Sequence, residues 1–91
     1  MPKLYNSPII ECTDMQTEML EYAMSNTMKG IKHLKNEMDL AFLLRVKFEH
    51  KYGLYWHCLV GMHFQGEILH EADCYLYMTL GKMKVLLFKS G

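Results

Sequence analysis

The order of apolar and polar residues divides the chain into a helical half followed by a half built of strands. Apolar residues recur at three- and four-residue spacing from about residue 15 to 34 and from 37 to 52, which predicts two amphipathic helices. Beyond Gly53 the spacing changes to two, as in half-buried strands. A short strand over residues 7–12 is predicted before the helices, since Pro8 is tolerated at the start of a strand.

Further strands are predicted in the second half of the chain. They cover the segments YWHCLVG (55–61), FQGEILH (64–70), DCYLYMTL (73–80) and MKVLLFK (83–89). The links between them are short, and short links join antiparallel neighbours. The predicted fold class is therefore α+β, with two N-terminal helices packed on a small antiparallel sheet, in a single domain over residues 1–91.

Capping residues indicate where the helices begin and end. Thr13 or Asp14 is expected to cap the first helix, and Asn36 the second. Gly53 is the expected residue just beyond the second helix. The apolar stripe of the first helix is expected to contain Leu20, Met24, Met28 and Ile31.

The second helix carries more apolar residues than one buried face needs. Its expected core stripe is Ala41, Leu44, Phe48 and Tyr52, whereas Phe42, Leu43 and Val46 fall outside that stripe. These extra residues indicate either contact with both the sheet and the first helix, or a subunit interface. Both interpretations fit the pattern, because small chains often enlarge their core by pairing.

Composition and charge exclude several classes of protein. Ten basic and ten acidic residues cancel among 91, so the chain lacks the basic surface that nucleic acid requires. Its apolar runs are too short to span a bilayer, and no signal peptide is evident, so we expect a cytoplasmic protein. Three cysteines at irregular spacing form no disulfide framework or zinc knuckle, and we expect no cofactor.

The stretch LYWHCLVGMHF concentrates residue types that metal sites and catalytic sites use. Neighbours along a strand point to opposite faces, so His57 and Cys58 are not expected to act as a pair. A small thiol- or metal-dependent enzyme using His57, Cys58, His70 or Cys74 is kept as the alternative function. His57 could instead make a subunit contact pH-dependent, because histidine titrates near neutral pH.

The C-terminal half also carries a distinctive series: KFEHKYGLYWHCLVGMHF, then HE, then LG, then terminal LLFKSG. This series resembles the eight-kilodalton-type dynein light chain, most strongly from Lys47 to Gly91. The resemblance implies a non-catalytic, strand-swapped homodimer in which a strand of about residues 64–70 crosses to the sheet of the partner. It also implies a cytoplasmic, cytoskeleton-associated light chain of the dynein motor, whose partners are the dynein intermediate chain and other proteins with short disordered motifs.

The resemblance also assigns site residues. Partner segments would add as a β-strand in a groove at the dimer interface. Groove positions are matched by Glu37, Met38, Phe64, Gly66, Ile68, Leu69, His70, Tyr77, Thr79 and Lys84. The dimer interface is matched by Val46, His57, Phe64 and Glu67.

Several of these positions depart from the pattern of the family. The usual Gly-Ser-Tyr-Val-Thr is here Gln65 to Leu69, which removes the hydroxyl groups at Gly66 and Leu69. Thr79 stands for a tyrosine and Lys84 for a small residue, and Met38 and Val46 stand for basic residues. We therefore predict a divergent member with partners of its own, whose segments are more apolar or acidic near Leu69 and Lys84. A dimer whose groove binds nothing is the remaining alternative.

Overall fold

A computed structural model describes residues 8–62 and 73–90 of the chain. In chain order these form β1 (Ile9–Thr13), α1 (Thr17–His33), α2 (Glu37–Tyr52), β2 (Trp56–Gly61), β3 (Asp73–Leu80) and β4 (Met83–Lys89). The prediction of two helices packed on a small antiparallel sheet is confirmed. The predicted strand 64–70 lies outside the described residues, and its exchange between two copies stays a prediction.

The four described strands form one antiparallel sheet in the order β1-β3-β4-β2. Neighbours in this sheet are not always neighbours along the chain. Strand β1 pairs with β3, although both helices and β2 lie between them in the sequence. Within the described chain, β2 pairs with β4 on one side only and is an edge of the sheet.

The helices cover one face of the sheet, and the core lies between them. Alternate residues of β2, β3 and β4 point into it, as the pleat of a strand requires. The core side chains are almost fully buried: Leu40, Leu44, Phe48, Trp56, Leu76, Met78, Leu80, Val85 and Leu87. We call this the covered face of the sheet.

The second helix has the bounds that the sequence predicts. The Asn36 side chain caps it, because its Oδ1 accepts a hydrogen bond of 2.9 Å from the Asp39 backbone N–H. Gly53 ends it with a φ of 82°, a value that favours glycine. In the core stripe, Leu44 and Phe48 are buried as predicted, and Leu40 rather than Ala41 completes their row.

The predicted caps of α1 are wrong. The helix begins at Thr17 after Gln16, whose side chain makes no capping hydrogen bond. Thr13 Oγ1 instead accepts from the Met15 backbone N–H at 3.0 Å. Asp14 Oδ1 accepts from the backbone N–H of Tyr75 at 2.6 Å. Thr13 therefore orders the turn before the helix, and Asp14 connects that turn to β3.

The buried face of α1 also differs from the predicted stripe. Leu20, Met24, Met28 and Ile31 are only half-buried, and the fully buried residues are the smaller Ala23, Asn26, Thr27 and Gly30. The two buried polar side chains bond to backbone carbonyls one turn earlier in the same helix. Thr27 Oγ1 donates to the Ala23 carbonyl, and Asn26 Nδ2 donates to the Tyr22 carbonyl. Small residues let the helices approach closely, since a Cβ on Gly30 would lie 2.7 Å from Leu40 Cδ1.

Candidate functional site

The face of the sheet that points away from the helices carries most of the described candidate site residues. We call it the open face. In the strand pleat its residues alternate with the core residues of β2, β3 and β4. On β2, β3 and β4 it contains His57, Leu59, Tyr77, Thr79, Lys84, Leu86 and Phe88, and Glu11 of β1 reaches it at Thr79.

An apolar row crosses the middle of the open face. Leu86 lies in register between Tyr77 of β3 and Leu59 of β2. Leu86 is only 2 % exposed although it does not belong to the core under the helices, whereas Leu59 at the sheet edge is 41 % exposed. This row is a second apolar surface on the opposite side of the same sheet.

A polar chain of hydrogen bonds lies beside that row. Lys84 Nζ donates to Thr79 Oγ1 at 3.0 Å, and Thr79 Oγ1 donates to Glu11 Oε1 at 2.9 Å. Sequence reasoning missed Glu11, because only the pairing of β1 with β3 brings it to Thr79, 68 residues away along the chain. No local pattern in the sequence signals this contact.

His57 lies at one end of the open face. Its Nε2 lies 2.7 Å from Ser90 Oγ, and its ring stacks on Phe88 with a centroid distance of 5.1 Å. Its neighbour Cys58 points to the covered face and contacts the core, so the prediction that the two do not form a pair is confirmed.

Cys58 lies where its ionisation is disfavoured. Burial raises the pKa of Cys58 from 9.0 to about 12, which disfavours the thiolate that a nucleophile or metal ligand requires. Cys74 is half-buried and Cys12 is exposed. Over residues 8–62 and 73–90 no three histidine, cysteine or acidic side chains cluster as metal ligands, and His70 lies outside those ranges.

An exposed apolar stripe runs along α2. Met38, Phe42 and Val46 recur every four residues and are 76 %, 61 % and 41 % exposed. The Arg45 guanidinium lies 5.5 Å from the centre of the Phe42 ring. Of the extra apolar residues of this helix, Leu43 faces α1 near Gly30. Contact with α1 therefore explains Leu43, whereas Phe42 and Val46 remain largely exposed.

The structure brings together part of the predicted site. Tyr77, Thr79, Lys84 and His57 share the open face. Glu37, Met38 and Val46 lie on α2. The remaining predicted groove and interface residues lie outside the described chain: Phe64, Gly66, Glu67, Ile68, Leu69 and His70.

Comparison with known proteins establishes the family. The model of the family described as dynein light chain type 1 matches residues 7–90. The chain therefore belongs to the dynein light chain family. That family is generally one of non-catalytic, cytoskeleton-associated adaptors.

Solved structures show the same fold. The dynein light chain-like domain of the Fasciola hepatica calcium binding protein FhCaBP2 superposes with a TM-score of 0.72 at 18 % identity, covering 92 % of this chain and 91 % of that one. A mercury derivative of the same domain gives 0.72 at 19 % identity, covering 100 % and 99 %. In the described parts of the chain, no helix has the length and apolar character to cross a membrane.

Proposed function

We propose that the chain is a homodimeric, non-catalytic adaptor that binds short extended segments of partner proteins by β-strand addition. The observation that carries this proposal is the combination of an edge strand with two apolar surfaces. Strand β2 pairs on one side only among the described strands, and α2 presents an exposed apolar stripe of Met38, Phe42 and Val46.

In the arrangement that the family resemblance implies, the exposed edge of the exchanged strand of about residues 64–70 provides the backbone part of such binding. Its unpaired N–H and C=O groups can be satisfied by an added strand, whichever side chains that strand carries. Selectivity then comes from side chains beside the edge. We assign this role to Glu37, Met38, Tyr77, Thr79 and Lys84, together with the positions from Phe64 to His70 that the family resemblance implies.

The dimer is proposed on the apolar row of the open face. Leu59 remains 41 % exposed, and burying it against a second copy would stabilise the pair by removing apolar surface from water. Val46 and His57 would border this contact, with Phe64 and Glu67 contributed by the exchanged strand. Two identical grooves would then hold two partner segments at once, which raises the overall affinity.

The proposed setting is that of a cytoplasmic light chain formed as one domain over residues 1–91. Its candidate partners are the dynein intermediate chain and other proteins with short disordered motifs. The departures from the family pattern support a set of partners of its own. Thr79 supports this, because its single hydroxyl hydrogen is already donated to Glu11.

Fluorescence anisotropy tests the proposal with a labelled peptide of the threonine-glutamine-threonine (TQT) type, which is the ligand type that the family resemblance implies. Saturable micromolar binding is expected if the groove tolerates the departures, and Tyr77→Ala should weaken it about tenfold. Tyr55→Ala is the matched control, since Tyr55 is 62 % exposed and precedes β2. If the folded protein binds neither this peptide nor any member of a random peptide library, the proposal is wrong.

A further inference from the structure

Lys84 occupies an unusual place for a lysine, in the middle of a sheet face. It pairs in register with Thr79 of β3 and with Gly61 of β2, which has no side chain to cover it. The apolar row of Leu86 and Leu59 lies two residues further along the same strands. The side chain is half-buried rather than extended into water.

Hydrogen bonds hold the ammonium of Lys84 in one position. A threonine hydroxyl has one hydrogen to donate, and Thr79 donates it to Glu11. The oxygen of Thr79 can therefore only accept from Lys84 Nζ, at 3.0 Å. A hydroxyl that already donates to a carboxylate is a stronger acceptor, because hydrogen bonds in a chain polarise one another. Glu11 thus positions the ammonium through Thr79.

Among the described residues, the Lys84 ammonium donates one hydrogen bond, to Thr79. A lysine ammonium has three donors, and one is used by Thr79. In the described ranges an ion pair joins Arg45 and Glu49, and the partner seen there for the Lys84 ammonium is the Thr79 hydroxyl rather than a carboxylate. A charge beside an apolar surface interacts with an opposite charge more strongly than it would in water.

We infer that the segment bound at this face is acidic, with one carboxylate that pairs with Lys84 while Glu11 and Thr79 hold the ammonium in place. The inference rests on the proposed function and adds the chemistry of the partner. Lys84 is the specificity-determining residue, and Glu11 and Thr79 are positioning residues.

A second copy of the chain is a less suitable source of that carboxylate. On the described open face the acidic side chain is Glu11, which already accepts from Thr79. A symmetric contact between two open faces would therefore bring Lys84 no further carboxylate from the described residues. Glu67 of the proposed exchanged strand is the other candidate in a second copy, and the sedimentation measurement below tests it. The half-buried charge of Lys84 favours an acidic segment of a different protein.

A display library of random twelve-residue peptides, selected against the folded full chain, tests the inference. We expect an Asp or Glu at one fixed position of the selected peptides. Lys84→Met should abolish this preference, because methionine keeps the length of the side chain and removes the charge. Lys82→Met is the matched control: it removes the same charge from the exposed turn between β3 and β4, and the preference should remain.

One selected peptide then measures the contact itself. Replacing its acidic residue by the matching amide should weaken binding to the wild type about tenfold, and binding to Lys84→Met less than twofold. Glu11→Gln keeps an acceptor for Thr79, whereas Glu11→Ala removes it. Binding of the acidic peptide should be weaker to Glu11→Ala than to Glu11→Gln, and an amide peptide should not distinguish them.

The outcomes separate this inference from the proposed function. A library that yields no binder overturns the proposed function and this inference with it. Binders without an acidic preference, or with one that survives Lys84→Met, overturn this inference alone. Sedimentation that shows Lys84→Met to be monomeric where the wild type is dimeric would also overturn it, since a second copy would then be the partner of Lys84.

Discussion

The two faces of the sheet are made by alternate residues of the same strands, yet they differ in how completely the chain covers them. On the covered face, Trp56, Leu76 and Leu87 are at most 1 % exposed beneath the helices. On the open face, Leu59 is 41 % exposed and a lysine lies half-buried. The covered face therefore supplies the stability of the fold, whereas the open face keeps apolar surface and charge that another molecule can satisfy.

The same division applies to α2. One side of the helix is in the core through Leu44 and Phe48, and the other exposes Met38 and Phe42. Apolar residues on the exposed side add little to the stability of one folded copy. These side chains can therefore determine which partner is bound without affecting the stability of the fold. Matched substitutions on the two sides of the helix test this division.

The largest difference is expected between two phenylalanines of α2. Phe48 is fully buried and contacts the rings of Tyr22, Tyr52 and Trp56, so Phe48→Ala should lower the free energy of unfolding by about 3–5 kcal/mol. Phe42→Ala, at a 61 % exposed position, should change it by about 0.5 kcal/mol or less. Urea denaturation at one fixed protein concentration measures both. Equal losses would contradict the division of the helix.

The reactivity of the cysteines also tests the comparison between covered and exposed parts of the sheet. Because burial raises the pKa of Cys58 to about 12, its thiolate should be much scarcer than that of an exposed cysteine at pH 8. Alkylation followed by mass spectrometry should label exposed Cys12 first, and Cys58 only in denaturant. The raised pKa also predicts that stability declines as the pH rises above 9.0, since the unfolded thiol ionises first. Rapid labelling of Cys58 in the folded chain would revive the thiol-enzyme alternative.

How much the sequence predicts depends on whether a signal is local. Asn36 and Gly53 predict the ends of α2 correctly, because a cap and a left-handed residue act within one turn of helix. The period of two predicts β3 and β4 with the bounds observed. The alternation of His57 and Cys58 was likewise predictable from the pleat of the strand.

Features that depend on distant pairing could not be predicted. Thr13 and Asp14 have the chemistry of helix caps, but β3 competes for them through the carbonyl and the N–H of Tyr75. The buried face of α1 was missed because close helix packing favours Gly30 and Ala23 over the larger apolar residues. Glu11 reaches the site only because β1 pairs with β3, which brings it to Thr79.

We expect a charge on the open face to weaken the proposed dimer, and a charge on the covered side of β1 to leave it nearly unchanged. Leu59→Lys should weaken the proposed dimer by about ten- to a hundredfold, because it places a charge in the apolar row. Ile10→Lys is the matched control, since Ile10 is 40 % exposed and shares the side of the core residue Met78. It should change the dimer by no more than about twofold. Sedimentation equilibrium gives both values, and a dimer that tolerates Leu59→Lys would remove the open face as the interface.

A smaller effect is expected from a charge at the end of the open face. His57 bonds Ser90 and stacks on Phe88 at the proposed dimer contact, so an added charge there would have to be buried between two copies. His57→Lys should therefore weaken the dimer about fivefold in sedimentation equilibrium, whereas the neutral His57→Gln should change it by no more than about twofold. His33→Lys, at an exposed position in the last turn of α1, should leave the dimer unchanged. A His57→Lys dimer with the affinity of the wild type would show that position 57 keeps contact with water after association, and the pairing surface would then have to lie closer to Leu59 and Leu86 than to the end of the chain.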